Sequence, residues 1–193
     1  MVKHSVRKEL RGVLVFVGIV WCVFVVGLVL PLSINSCGVT PRSIIGLVGV
    51  PLMPFLHADL NHLLSNTVPL TILLLLLAGS KANSWTIVAF IVFMSGAMLW
   101  LFGRPATHVG ASGLIFGLIA FLIVSGVMEK RPIPLAISLL VGALYGGTLV
   151  FGVLPQWGND VSWDGHLCGA ISGAAIAYVL NANPKSDRVF SAG

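Results

Sequence analysis

The sequence predicts an all-α polytopic membrane protein, a bundle of six transmembrane helices, and three observations carry that prediction. Hydrophobic residues make up 57% of the chain and charged residues 9%, with a mean hydropathy of +1.02, so a water-soluble domain could not cover its surface with polar side chains. Six apolar segments, residues 12–32, 61–78, 84–102, 112–127, 133–154 and 165–180, approach the roughly 20 residues that a helix needs to cross a bilayer. The charges fall in short clusters between these runs instead of forming a basic stripe, so they read as topology signals and exclude a nucleic-acid partner.

Taken in order, residues 1–11 form a basic N-terminus and residues 12–181 a single membrane domain. The first span has the basic start of a secretion signal. It is longer than the h-region of about 7–15 residues and lacks a small-x-small cleavage site, so it is expected to be retained. Residues 33–60 are the one long connection, broken by Pro41, Pro51 and Pro54, and are expected to form a re-entrant or interfacial loop. The second, fourth and sixth spans are the shortest. Their ends should lie below the membrane surface, where polar side chains can line a wet cavity. Residues 182–193 form a polar tail.

With six spans both termini share a side. That side collects Lys3, Arg7, Lys8, Arg11, Lys81, Lys130, Arg131, Lys185 and Arg188, against Arg42 and Arg104 on the other. Basic residues favour the cytoplasm, so the termini are expected there, in a bacterial plasma membrane, with the even-numbered spans starting at the outer face. Cys22, Cys37 and Cys168 show no metal-ligand spacing, so neither a disulfide framework nor a zinc site is expected, and no cofactor.

The residues that carry chemistry stand at those outer starts. Gly110 and Gly113 flank Ser112, and glycines beside a nucleophile permit a tight turn that leaves the hydroxyl exposed. Alone, the tetrapeptide reads better as a helix-packing site. In the sixth span Gly165, Gly169, Gly173 and Ala177 recur every fourth residue, a smooth face for a neighbouring helix. Packing the fourth span there, through Gly113 and Gly117, would bring Ser112 and His166 to one depth, a nucleophile and the base it needs. In the second span His62 and Asn66, four apart, share a helix face, and neutral donors of this kind can stabilise an oxyanion. His57 lies near them. A metal site is the rival reading, but the helix lacks the HExxH pattern.

These motifs together, His62-Leu63-Leu64-Ser65-Asn66, Gly110-Ala111-Ser112-Gly113 and Gly165-His166 with its glycine ladder, resemble the rhomboid family of intramembrane serine proteases across essentially the whole chain. The resemblance implies Ser112 as nucleophile, His166 as base, and an oxyanion hole of His62, Asn66 and the Ser112 backbone N–H. It places His57 near the site. Two departures stand out: Pro41-Arg42 replaces the Trp-Arg pair usual in the family's first loop, and Phe116 replaces the tyrosine that often stacks on the base.

The expected activity is endopeptidase cleavage of transmembrane segments through an acyl-enzyme, with other membrane proteins and the lipid bilayer as partners. Asp164, two residues before His166, reads as a loop residue, leaving His166 oriented mainly by packing against Phe116. Activity should fall as the pH drops through the pKa of His166. Residues 154–163 and the fifth span are expected to gate entry, with Trp157 and Trp163 reading equally as interfacial anchors. The alternatives are an inactive rhomboid-like binder of membrane helices and a small transporter, the latter disfavoured because ionisable residues gather at the outer ends.

Overall fold

The computed structural model describes residues 6–30, 33–81, 83–156 and 161–182. Lys3, Lys185, Arg188, the loop residues 157–160 and the tail beyond 182 lie outside them. Six long helices span the fold: α1 (Val6–Val29), α3 (Leu60–Ser80), α4 (Ser84–Phe102), α5 (Ser112–Glu129), α6 (Pro132–Gly152) and α7 (Trp163–Ala182), with the four-residue α2 (Gly49–Leu52) in the first loop. Each of the six is long and apolar enough to cross a membrane, which is the predicted architecture.

Boundaries differ where polar residues turn out to be helical. α1 starts at Val6, so Arg7, Lys8 and Arg11 ride on its first turns. The even-numbered spans are not uniformly short: α3 has 21 residues and α7 has 20, against 19 in α4, and α5 alone of the three is the shortest, with 18. Asp59 caps α3 by accepting the His62 N–H at 2.9 Å, and Asp164 lies in the first turn of α7, where a carboxylate meets the positive end of the helix dipole. A hydropathy reading trims such residues off a helix that electrostatics keeps.

α5 is the central helix, apolar all round and buried from Gly113 through Leu122. Around it pack Leu70, Leu73, Leu74 and Leu77 of α3, Ile87, Val88 and Ile91 of α4, and Ile176 and Ala177 of α7. Apolar burial does not drive helices together in lipid, so close backbone approach must. The α5–α7 seam supplies it: a Cβ on Gly169 would lie 2.0 Å from the Gly113 carbonyl oxygen, and one on Gly173 would lie 1.9 Å from that of Gly117. α6 is the least buried of the inner helices, with Ser138 and Val141 the buried ones among its described residues.

The first loop is helical in short turns, running Ile45–Phe55 as one apolar stretch. Val50 and Met53 pack with Val39, Leu99 and Cys168, while Ile44 and Ile45 stay more than four-fifths exposed, at 84% and 81%. The basic side of the bundle is stitched by polar pairs. Lys81 pairs with Glu129, which also accepts from Ser125 Oγ at 2.7 Å, Asn181 donates to Ser125 at 3.3 Å, and Ser84 bonds Glu9.

Candidate functional site

At the start of α5 the chain turns through Gly110 with φ at +117°, a conformation that side chains rarely adopt. A Cβ there would also lie 2.6 Å from His62 Nε2, so glycine is needed for the turn and for the approach of α3. The Gly110 N–H donates to the Met53 carbonyl at 3.0 Å, fixing the turn to the first loop. Helical bonding begins with the Ile115 N–H on the Ala111 carbonyl at 2.9 Å. The N–H groups of Ser112 and Gly113 are therefore left without intrahelical acceptors at the positive end of the helix.

His166 sits at the start of α7, its N–H on the Ser162 carbonyl at 3.0 Å. Its ring stacks on Phe116 with centroids 4.0 Å apart and planes 5° apart. The Nδ1 atom is 2.9 Å from the Gly152 carbonyl oxygen, which can only accept, so Nδ1 carries the hydrogen and Nε2 keeps a free lone pair. An imidazole in that state can take a proton. Packing against Phe116, the expected restraint, is present, and a hydrogen bond from α6 adds to it.

The glycine seam brings the two helix starts together. Ser112, His166, His62, Asn66 and Phe116 line one cavity of about 1020 Å³. Among the described residues no hydrogen bond joins Ser112 to His166. On α3, Asn66 Nδ2 donates to the His62 carbonyl at 2.8 Å, which uses one of its two amide hydrogens and leaves the other.

His57 does not line this cavity. It is 3% exposed, neither ring nitrogen has a hydrogen-bond partner among the described residues, and its ring meets His62 edge-on with centroids 5.1 Å apart. Burial, with His62 nearby adding to it, pushes its pKa down to about 4, so it is neutral at pH 7 and presents an uncharged edge to His62.

Asp164 is not a loop residue. It is buried and accepts the Arg104 N–H at 2.8 Å and the Arg104 guanidinium at 3.3 Å. That guanidinium also reaches the Val161 carbonyl at 2.9 Å and lies 5.2 Å from the centre of the Trp163 ring. His108, which the sequence reasoning passed over, is buried beside them. Its Nε2 faces the Arg104 carbonyl at 3.2 Å, so that nitrogen donates, and its Nδ1 accepts from Ser162 Oγ at 2.7 Å. The cluster clamps the loop before α5 to the start of α7. Arg104 as one of two cations on its side, and a carboxylate two residues before a histidine, were the available signals.

The second cation, Arg42, ties the first loop to the end of α4. Its φ is 59°, its N–H donates to Trp100 O at 2.9 Å, and its guanidinium reaches the Gly103 carbonyl at 3.0 Å, at the negative end of α4. Trp100 of α4 returns a bond from Nε1 to the Ser43 carbonyl at 2.7 Å.

Known proteins resemble this chain. Residues 43–183 match the Rhomboid domain family. An uncharacterized protein of Mycobacterium tuberculosis is 38% identical over 186 residues, covering 91% of this chain and 77% of its own, and one from Mycobacterium leprae is 38% identical over 186 residues, covering 91% and 73%. A chloroplast rhomboid-like protein 11 of Arabidopsis thaliana is 29% identical over 156 residues, covering 68% of this chain and 52% of its own.

Proposed function

Since the chain belongs to the rhomboid family of multi-pass membrane proteins, we propose that it is an intramembrane serine endopeptidase that cleaves transmembrane segments of other proteins. The observation that carries this reading is the shared cavity, where a serine at a helix start and a histidine with a free Nε2 converge. Nε2 of His166 accepts the Ser112 proton as Oγ attacks the scissile carbonyl. The resulting imidazolium protonates the leaving amine, and water then hydrolyses the acyl-enzyme. The developing oxyanion is met by the Ser112 N–H, the second Asn66 amide hydrogen and His62, each donor worth roughly 10²- to 10³-fold in rate.

His57 supports His62 from behind, and Gly110, Gly113 and Gly165 give the close approach that the site needs. Positive-inside charge puts the termini in the cytoplasm of a bacterial plasma membrane, with the cavity opening toward the outer face. The substrate enters as a helix beside α6 and unwinds near Ser112, because a helix hides its carbonyls in internal hydrogen bonds. The expected gate at residues 154–163 includes residues 157–160, which lie outside the described residues.

One observation favours a second reading. Ser112 and His166 are not hydrogen-bonded, as would suit a catalytically inactive binder of membrane helices, although such bonds often tighten only around substrate. Purified protein in liposomes, given a labelled transmembrane substrate, separates the two. The protease cleaves it, Ser112→Ala and His166→Ala do not, and a fluorophosphonate probe labels Ser112. Substrate binding without cleavage or labelling by the wild type selects the binder.

A further inference from the structure

We propose that the backbone carbonyl of Gly152, the last residue of α6, is the positioning group that a carboxylate supplies in a three-residue serine site. This inference rests on His166 being the base. Asp164, the nearest acid in sequence, does not hold the imidazole, because its oxygens are engaged by the Arg104 N–H at 2.8 Å and the Arg104 guanidinium at 3.3 Å. Nδ1 of His166 is instead 2.9 Å from the Gly152 oxygen.

That oxygen suits the task. The last carbonyls of a helix lack intrahelical partners and carry the negative end of its dipole. A neutral acceptor so placed fixes the Nδ1–H tautomer and stabilises the imidazolium, without burying a carboxylate in the membrane. Glycine is required at the position, since a Cβ would lie 2.3 Å from Phe116 Cζ and 2.7 Å from its Cε1, inside the ring that stacks on the imidazole.

The consequence concerns α6. Its foot is held by Ser138 Oγ on the Ile123 carbonyl at 2.9 Å and by Gly126 against Pro134, while Gly142, Gly146 and Gly147 face open space. Its head meets the fold at Phe116 and His166. The helix that borders the entrance therefore also orders the base.

The test weakens one acceptor. Replacing Val153 by its α-hydroxy acid turns the 152–153 amide into an ester, whose Gly152 carbonyl accepts hydrogen bonds poorly, and the same change at Leu154 weakens the Val153 carbonyl as control. The readouts are ¹⁵N NMR of the His166 imidazole, fluorophosphonate labelling of Ser112, and kcat and KM for a transmembrane substrate. In the 153 ester, the Nδ1–H tautomer should decline and labelling and kcat should drop about tenfold, with KM unchanged and the 154 ester like wild type. Gly152→Ala should lower kcat in the same way. An imidazole spectrum and labelling rate unaltered by the 153 ester would overturn the inference, as would equal losses from both esters. The spectrum needs no turnover, so a wild type that neither cleaves nor labels, yet whose tautomer responds to the 153 ester, sinks the protease reading alone.

Discussion

Glycine does opposite work in two regions of this bundle. Along the α5–α7 seam each glycine faces another backbone, and Gly169 and Gly173 sit where a single added carbon would strike the carbonyls of Gly113 and Gly117. On α6, Gly142, Gly146 and Gly147 face open space within 4 Å of where a Cβ would stand. The first arrangement locks two helices at fixed depth, and the second leaves a helix tethered by its two ends and by side chains such as Val141, Tyr145 and Leu149 between them. Since lipid solvates apolar side chains as well as a protein core does, backbone proximity decides which helices are rigidly joined. Ser112 and His166 stand on the locked pair, while the proposed entrance borders the tethered helix.

The comparison breaks first at the seam. Gly173→Val should destabilise the fold by about 3 kcal/mol or more, because the clashing atom is a main-chain oxygen that cannot rotate away. Gly146→Ala should change stability by no more than about 0.5 kcal/mol. Unfolding in mixed detergent micelles measures both, and equal losses would erase the distinction between the two regions.

Next in size is the clamp that aligns the ends of the seam. Asp164→Ala removes the acceptor for the Arg104 N–H and guanidinium, leaving a half-exposed cation with the Val161 carbonyl and the Trp163 ring, at a cost of about 2 kcal/mol with a loss of activity. Arg42→Ala, which frees the exposed end of α4, should cost about 1 kcal/mol. Should Arg42→Ala prove the more damaging in the same micelle assay, the first loop rather than the clamp holds this end together.

Entry through α6 sharpens the contrast further. Ser65→Cys with Thr148→Cys, on opposite walls of the cavity, joined by a bifunctional thiol reagent in a chain with exposed Cys22 and Cys37 replaced, should abolish cleavage of a membrane substrate. Labelling of Ser112 by a small water-borne probe should persist. Full cleavage after efficient cross-linking removes α6 from the entrance.

The two regions also differ in how far the sequence reveals them. The seam was legible, because a four-residue spacing of small residues is periodic and local, and it places Ser112, His166 and the Phe116 stack at one end with no tertiary information. The clamp was not. Arg104, His108, Ser162 and Asp164 meet through hydrogen bonds between segments 54 to 60 residues apart, which leave no period to read. The anchor of the first loop, Arg42 and Ser43 against Trp100 of α4, was hidden likewise, since its members lie far apart in sequence. The lengths of α3 and α7 were underestimated because small and polar residues extend them, Gly79 and Ser80 at the end of α3 and Trp163, Asp164, Asn181 and Ala182 at the two ends of α7.

The smallest effect expected near neutral pH lies at His57, behind the site. In the folded protein its pKa is pushed down from 6.5 to about 4, so the native state refuses a proton that the unfolded chain accepts. Stability from this group is complete above about pH 6.5, falls as the pH drops through the interval down to about 4, and levels off below it. At about pH 6 the loss is under 1 kcal/mol, and at pH 7 it is negligible. His57→Leu, which fills a similar volume and has no proton to gain, should flatten the acid side of the stability curve while leaving the neutral side in place. Micelle unfolding of both proteins from pH 7 to 4.5 checks this. Parallel curves would mean that the buried ring finds a partner for its proton, and that His62 faces a charged neighbour instead of a neutral one whenever the medium turns acidic.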